Sequence, residues 1–183
     1  MDKKRDYFGF FFEIFVLRML YIPNIARAID DKARAQQRPI AHLHALRAAH
    51  KQRRSVGGGI FRTNTTSEKS AYHFGGRSEL QFNIGRDEHG NFRYGVGLST
   101  QPSRDFQDVT VIYPLMDRLA HALATTRYPP EYELQGDLSD KRSGKFVFFG
   151  KIIRDPTPPD INDVLDTFDA LIPLYERVTF GHE

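Results

Sequence analysis

Glu79, Gln81 and Asn83 stand two residues apart and interleave with Leu80, Phe82 and Ile84. In an extended strand alternate side chains turn to opposite faces, so one acid and two carboxamides would share a face and three large apolar groups the other. Oxygen donors fixed on a rigid strand suit a metal-dependent phosphodiesterase, which must hold its cation beside the scissile phosphate. Gln81 cannot act as a general base, so its task there would be to position water. The same tripeptide recurs as Glu133-Leu134-Gln135, but Gly136 and Asp137 end the alternation at once, whereas after Gln81 it runs on to Gly85.

A second carboxylate is sought across a hairpin. Gly75-Gly76 is a turn signal, and strands joined there would bring Glu68 toward the Gln81 to Ile84 end of the partner strand. An acid, ten intervening residues and then acid-x-amide resembles the PD-(D/E)xK nuclease core in the form where glutamine replaces lysine. That resemblance implies Mg²⁺ held by Glu68 and Glu79, with Gln81 orienting the attacking water. Glu13 is a further candidate. Its helical neighbours would be Gly9, Phe10, Val16 and Leu17, none of which can neutralise it, so it either pairs with a distant arginine or supports the metal site.

The charge pattern supplies a substrate class. The formal net charge is only +3, yet residues 1–93 hold 17 Lys+Arg against 9 Asp+Glu and the remainder 9 against 14. From Lys32 to Ser67 there is no acid, while Lys32, Arg34, Arg38, Arg47, Lys51, Arg53, Arg54 and Arg62 fall within it. Such a patch attracts a polyanion. Arg47, Lys51 and Arg54 share one helical face, and with Arg53, Arg62 and Arg77 they form the expected DNA-backbone contacts. The competing reading is a solvated surface helix.

Several classes are excluded or disfavoured. With no cysteine there is neither a disulfide framework nor a thiolate zinc site, and no HExxH pattern is present. Gly57-Gly58-Gly59 lacks the Gly-Lys-Ser/Thr ending of a P-loop. Met1 to Leu20 has the outline of an export signal, but Glu13 and Arg18 interrupt the apolar run, and a buried amphipathic helix fits better. The cytoplasm is the default compartment.

The elements that would position these residues follow from periodicity. Residues 6–29 read as a helix bent at Pro23, with Phe8, Phe11, Phe12, Phe15, Met19 and Ile22 on one stripe, and residues 40–54 as a second. The period then falls to two, giving strands over 60–62, 68–74, 78–85 and 92–98. A helix over 109–125, strands over 132–135 and 145–154, and a last helix capped by Asp160 complete the chain. The 183 residues make one domain, 1–183, of mixed α/β (α+β) class: a PD-(D/E)xK nuclease-like mixed sheet flanked by helices.

The Ser78 to Gly85 strand after its Gly-Gly turn, together with Arg177-Val178 near the C-terminus, resembles the BisI family of modification-dependent type II restriction endonucleases. The resemblance also accommodates the N-terminal nuclease domain of a longer member. It implies a bacterial cytoplasmic homodimer that cuts double-stranded DNA at short GCNGC-type sites carrying 5-methylcytosine. Arg177 and Val178 would read the methylated base, since an arginine can bond guanine while a valine offers the methyl group an apolar surface. Two alternatives stay open: a non-catalytic reader of modified DNA, and an interaction domain whose basic half docks on the acidic half of another copy.

Overall fold

The structure is a computed structural model that describes residues 22–43, 72–74, 80–99, 109–141, 146–154, 157 and 159–181. Within these, helix α1 (Ile22–Ala35) precedes strands β1 (Tyr72–Phe74), β2 (Gln81–Arg86) and β3 (Phe92–Ser99). Helix α2 (Val109–Thr125), strands β4 (Tyr132–Gln135) and β5 (Phe146–Ile153), and helix α3 (Ile161–Phe180) follow. The class is mixed α/β, as the periodicity predicts.

One five-stranded sheet is formed in the order β1-β2-β3-β5-β4. A sheet of both strand orientations was expected, but every pairing among the described residues is antiparallel. The connections explain this. A short turn at Asp87–Asn91 folds β3 back on β2, and β4 lies at the edge beside β5, with residues 136–145 between them in sequence.

The first hairpin differs from expectation in register. Tyr72 faces Ile84, His73 faces Asn83 and Phe74 faces Phe82. The residues opposite the Phe82 to Ile84 stretch are therefore 72–74, not Glu68: the pair nearest the connection is Phe74 with Phe82, a register that a two-residue turn at Gly75-Gly76 would not give. Glu68 itself lies outside the described residues.

Helix α3 is the main cover of the sheet. It is set by Asp160, whose carboxylate accepts the Asn162 amide at 2.9 Å, and closed by Gly181 in the left-handed conformation, whose N–H reaches the Arg177 carbonyl. Its buried stripe of Val164, Leu165, Phe168, Leu171, Leu174, Tyr175 and Val178 meets the apolar face of the sheet. Phe82 is the keystone, edge-on to Phe168 at 5.6 Å and tilted on Tyr175 at 5.0 Å. Leu80, Ile84, Phe92, Val96, Leu98 and Val147 are buried in the same continuous core, to which Leu115, Met116 and Leu119 of α2 belong.

Helix α1 begins at Ile22 with Pro23 in its first turn, where a missing N–H costs nothing, and runs six residues past the expected end at 29. The Asp30 to Arg34 pair at 3.0 Å supports the extension, and Gln37 at φ 51 breaks it. Arg38 then binds across to α3, pairing with Asp166 and, at 2.6 Å, with Asp169. Asp169 also accepts the Ile40 amide at 2.9 Å, so the start of the next helical turn is capped by a residue of α3.

Candidate functional site

Residues Leu80, Phe82 and Ile84 do turn to the helical core, and Gln81 and Asn83 share the opposite face, as the two-residue period predicts. That opposite face is not open. Gln81 is 5% and Asn83 0% exposed, so β2 is buried on both sides. The cross-strand rows show what surrounds them. Gln81 lies opposite Gly97, which lies opposite Phe148, which lies opposite Gln135; Asn83 lies opposite Gly95, then Gly150, then Glu133.

Glycine is obligatory in these rows. A Cβ on Gly95 would stand 2.3 Å from the Phe149 carbonyl oxygen, and one on Gly97 would stand 2.6 Å from the Phe146 ring. The β3 and β5 backbones thus approach closely at Gly95 and Gly150, and the Phe146 ring lies over Gly97. Arg93 closes the arrangement. Its guanidinium sits 5.1 Å from the Phe146 ring centre and 4.9 Å from that of Phe148, and its Nη1 donates to Gln135 Oε1 at 2.9 Å. Burial pulls its pKa below the usual arginine value.

Gln135 in turn donates to Asp87 Oδ2 at 3.3 Å, and Asp87 also accepts from the Asn91 side chain at 3.0 Å and from the His89 and Asn91 amides at 2.9 Å. Burial alone would raise the Asp87 pKa; these four donors outweigh it and hold the carboxyl below its ordinary value. Asn83 is the opposite case. Among the described residues neither its Nδ2 nor its Oδ1 has a hydrogen-bond partner, and the Nε of Arg93 is likewise buried and unpaired.

A second polar cluster stands on the helical side. The Tyr94 hydroxyl donates to Asp163 Oδ2, and Lys151 Nζ donates to Asp163 Oδ1 at 2.6 Å. Burial, then the bond to Asp163, pushes the Tyr94 pKa far up, while Lys151 and Tyr94 overcome burial to keep Asp163 ionised. Every acidic and basic atom here is matched, which marks the cluster as a fastening between the sheet and α3.

Of the residues expected to do chemistry or bind DNA, Gln81, Arg177 and Val178 lie within the described structure; Glu13, Glu68, Glu79, Arg47, Lys51, Arg53, Arg54, Arg62 and Arg77 lie outside it. Val178 is wholly buried in the α3 core stripe, which leaves it no surface for a base. The physical reason is helical spacing: Leu174, Tyr175 and Val178 follow Leu171 at three, four and seven residues. Arg177, one position earlier, donates at 3.2 Å to the Thr125 and Thr126 hydroxyls at the end of α2. Asp87, Arg93, Asn83 and Gln135 were not among the expected site residues. Gln135 closes the Glu133-Leu134-Gln135 tripeptide, whose alternation ends at Gly136, yet it shares a face and a cross-strand row with Gln81.

Among the described residues no group of three or more His, Cys, Asp or Glu side chains could hold a metal ion, and no helix is long and apolar enough to cross a membrane. Neither a family model, nor a curated protein, nor a solved structure matches the chain.

Proposed function

We propose that the chain is a Mg²⁺-dependent endonuclease of double-stranded DNA, of the PD-(D/E)xK type, with Glu79 and Gln81 at the site. The observation that carries this reading is the sorting of β2: core residues on one face, Gln81 and Asn83 on the other, with the Asn83 carboxamide buried and without a partner. A buried amide lacking a partner is costly, about 1–3 kcal/mol, and a catalytic role or a bound ion or water is among the physical reasons for keeping one.

The donor chemistry fits a hard cation in part. The described residues offer neutral carboxamide oxygens, which suit Mg²⁺ as supplements to carboxylates, and the reading assigns the carboxylates to Glu79, Glu68 and Glu13. When bound, Mg²⁺ would neutralise charge on the phosphate and make a bound water more acidic. Gln81 would hold that water by accepting from and donating to it, and Arg47, Lys51, Arg53, Arg54, Arg62 and Arg77 would follow the backbone. A homodimer and a preference for 5-methylcytosine at GCNGC-type sites belong to the same reading, with Arg177 as the base contact and Val178 removed from it.

The test is cleavage of methylated and unmethylated plasmid with Mg²⁺ or EDTA by the chain and by Glu79→Ala. Methylation-dependent, Mg²⁺-dependent cutting that disappears in Glu79→Ala while the gel shift persists is the expected result. An undiminished rate in Glu79→Ala removes the site assignment, and a shift without cutting under any condition makes the chain a reader.

A further inference from the structure

Two diagonal neighbours on the buried polar face carry unpaired donors. Asn83 lies opposite Gly95, Gly85 lies opposite Arg93, and the four positions form a square on β2 and β3. One diagonal of that square is glycine, the other Asn83 and Arg93, and diagonal neighbours in an antiparallel pair stand about 7–8 Å apart. Across the β2–β3 pairing each polar side chain thus meets a glycine, while on the other flank Asn83 lies opposite His73 of β1 and Arg93 opposite Ile152 of β5.

The two are left in an unusual state. Asn83 is fully buried with Nδ2 and Oδ1 both unpaired, and Arg93 keeps a buried, unpaired Nε. The arginine is also held rigidly. Its plane lies against Phe146 and Phe148, its Nη1 is engaged by Gln135, and among the described residues no carboxylate forms an ion pair with it. Asp87, the acid reached through Gln135, already accepts four hydrogen bonds. A guanidinium fixed on aromatic faces with part of its donor fork open, beside a second free N–H donor, matches the needs of a tetrahedral oxyanion.

We infer that Asn83 and Arg93 form an oxyanion site of phosphate chemistry on the polar face of the β2–β3 pair. Asn83 Nδ2 and Arg93 Nε donate to the anion's oxygens, and Asn83 Oδ1 accepts from a water that accompanies it. Identification of that anion with a DNA phosphodiester rests on the nuclease reading; binding of the phosphate group does not.

The experiment measures the rise in Tm of the whole chain against inorganic phosphate, with chloride at matched ionic strength as reference, for wild type, Asn83→Ala and Arg93→Lys. Arg93→Lys keeps the charge but loses Nε and the planar fork stacked on Phe146 and Phe148. The Tm of each variant without phosphate is therefore measured first and only its phosphate-dependent rise is compared, which gives a second reading if Asn83→Ala is poorly folded. The expected result is a phosphate-specific rise in wild type, with an apparent Kd at least about ten-fold weaker in either variant. No phosphate-specific rise in wild type, or the same rise in all three proteins, overturns the inference. Competition of phosphate against a short duplex assigns the anion to the nucleic-acid backbone, whereas a retained response without competition assigns a free phosphate. A chain that cuts DNA but ignores phosphate refutes only this site, and one that binds phosphate but never cuts refutes only the nuclease reading.

Discussion

The two faces of the sheet solve burial differently. On the helical face, bulk does the work: Phe82, Val96, Leu98 and Val147 are sealed under α3, and the polar atoms admitted there, on Tyr94, Lys151 and Asp163, are bonded to one another. On the opposite face, glycines replace bulk, two phenylalanine rings lie across them, and polar atoms are distributed unevenly. Asp87 receives four hydrogen bonds and Asn83 none. The charged groups of the helical side are thus all bonded, with only the Thr167 and Thr179 hydroxyls of α3 left unpaired, whereas the opposite side leaves a whole carboxamide and a guanidinium N–H without partners among the described residues.

Three substitutions sharpen or break that contrast. The largest effect belongs to Phe82→Ala, which empties the contact with Phe168 and Tyr175 and should cost about 3–5 kcal/mol in urea unfolding. A cost below about 1 kcal/mol would mean that the helical face is not the stabilising one.

Next comes Asp87→Ala, expected to cost about 2 kcal/mol at neutral pH because it strands two amides, a carboxamide and Gln135. The folded-state pKa of Asp87 is depressed, so its contribution is present above the unfolded value near 3.9 and lost as pH falls through the lower folded value. Wild type and variant should therefore converge in stability below about pH 4. A gap that is constant from pH 7 to pH 3 would show that the carboxylate charge is irrelevant.

The smallest effect is that of Tyr94→Phe, about 1 kcal/mol, since Asp163 keeps Lys151 and partial access to water. Equilibrium unfolding of the pair of proteins measures it. A loss above about 3 kcal/mol would place the decisive polar network on the helical side instead.

Much of this was legible in local sequence. The helix over 109–125, the strand over 132–135 and the Asp160 cap emerge at the expected residues because each has a signal within one or two turns of itself. The period of two also sorted Gln81 from Phe82 correctly. What sequence did not reveal was distant pairing. The acid-free run containing Arg38 suggested a free cation, yet its partner Asp166 lies 128 residues on. The register of β1 against β2 was missed because Gly75-Gly76 signals a turn without fixing its length. Burial of Gln81 and Asn83 was missed for a similar reason: alternation reveals which residues share a face, not whether that face meets water.

The Asp87 turn has a mechanical meaning as well. Its tip residues Glu88 and His89 are in solvent, while its base is linked through Gln135 to the guanidinium of Arg93. The chain of bonds crosses from the β2–β3 turn to edge strand β4 and back to the middle of the sheet. The position of the guanidinium is thus tied, through one amide and one carboxylate, to the geometry of a turn that Arg93 itself does not bond.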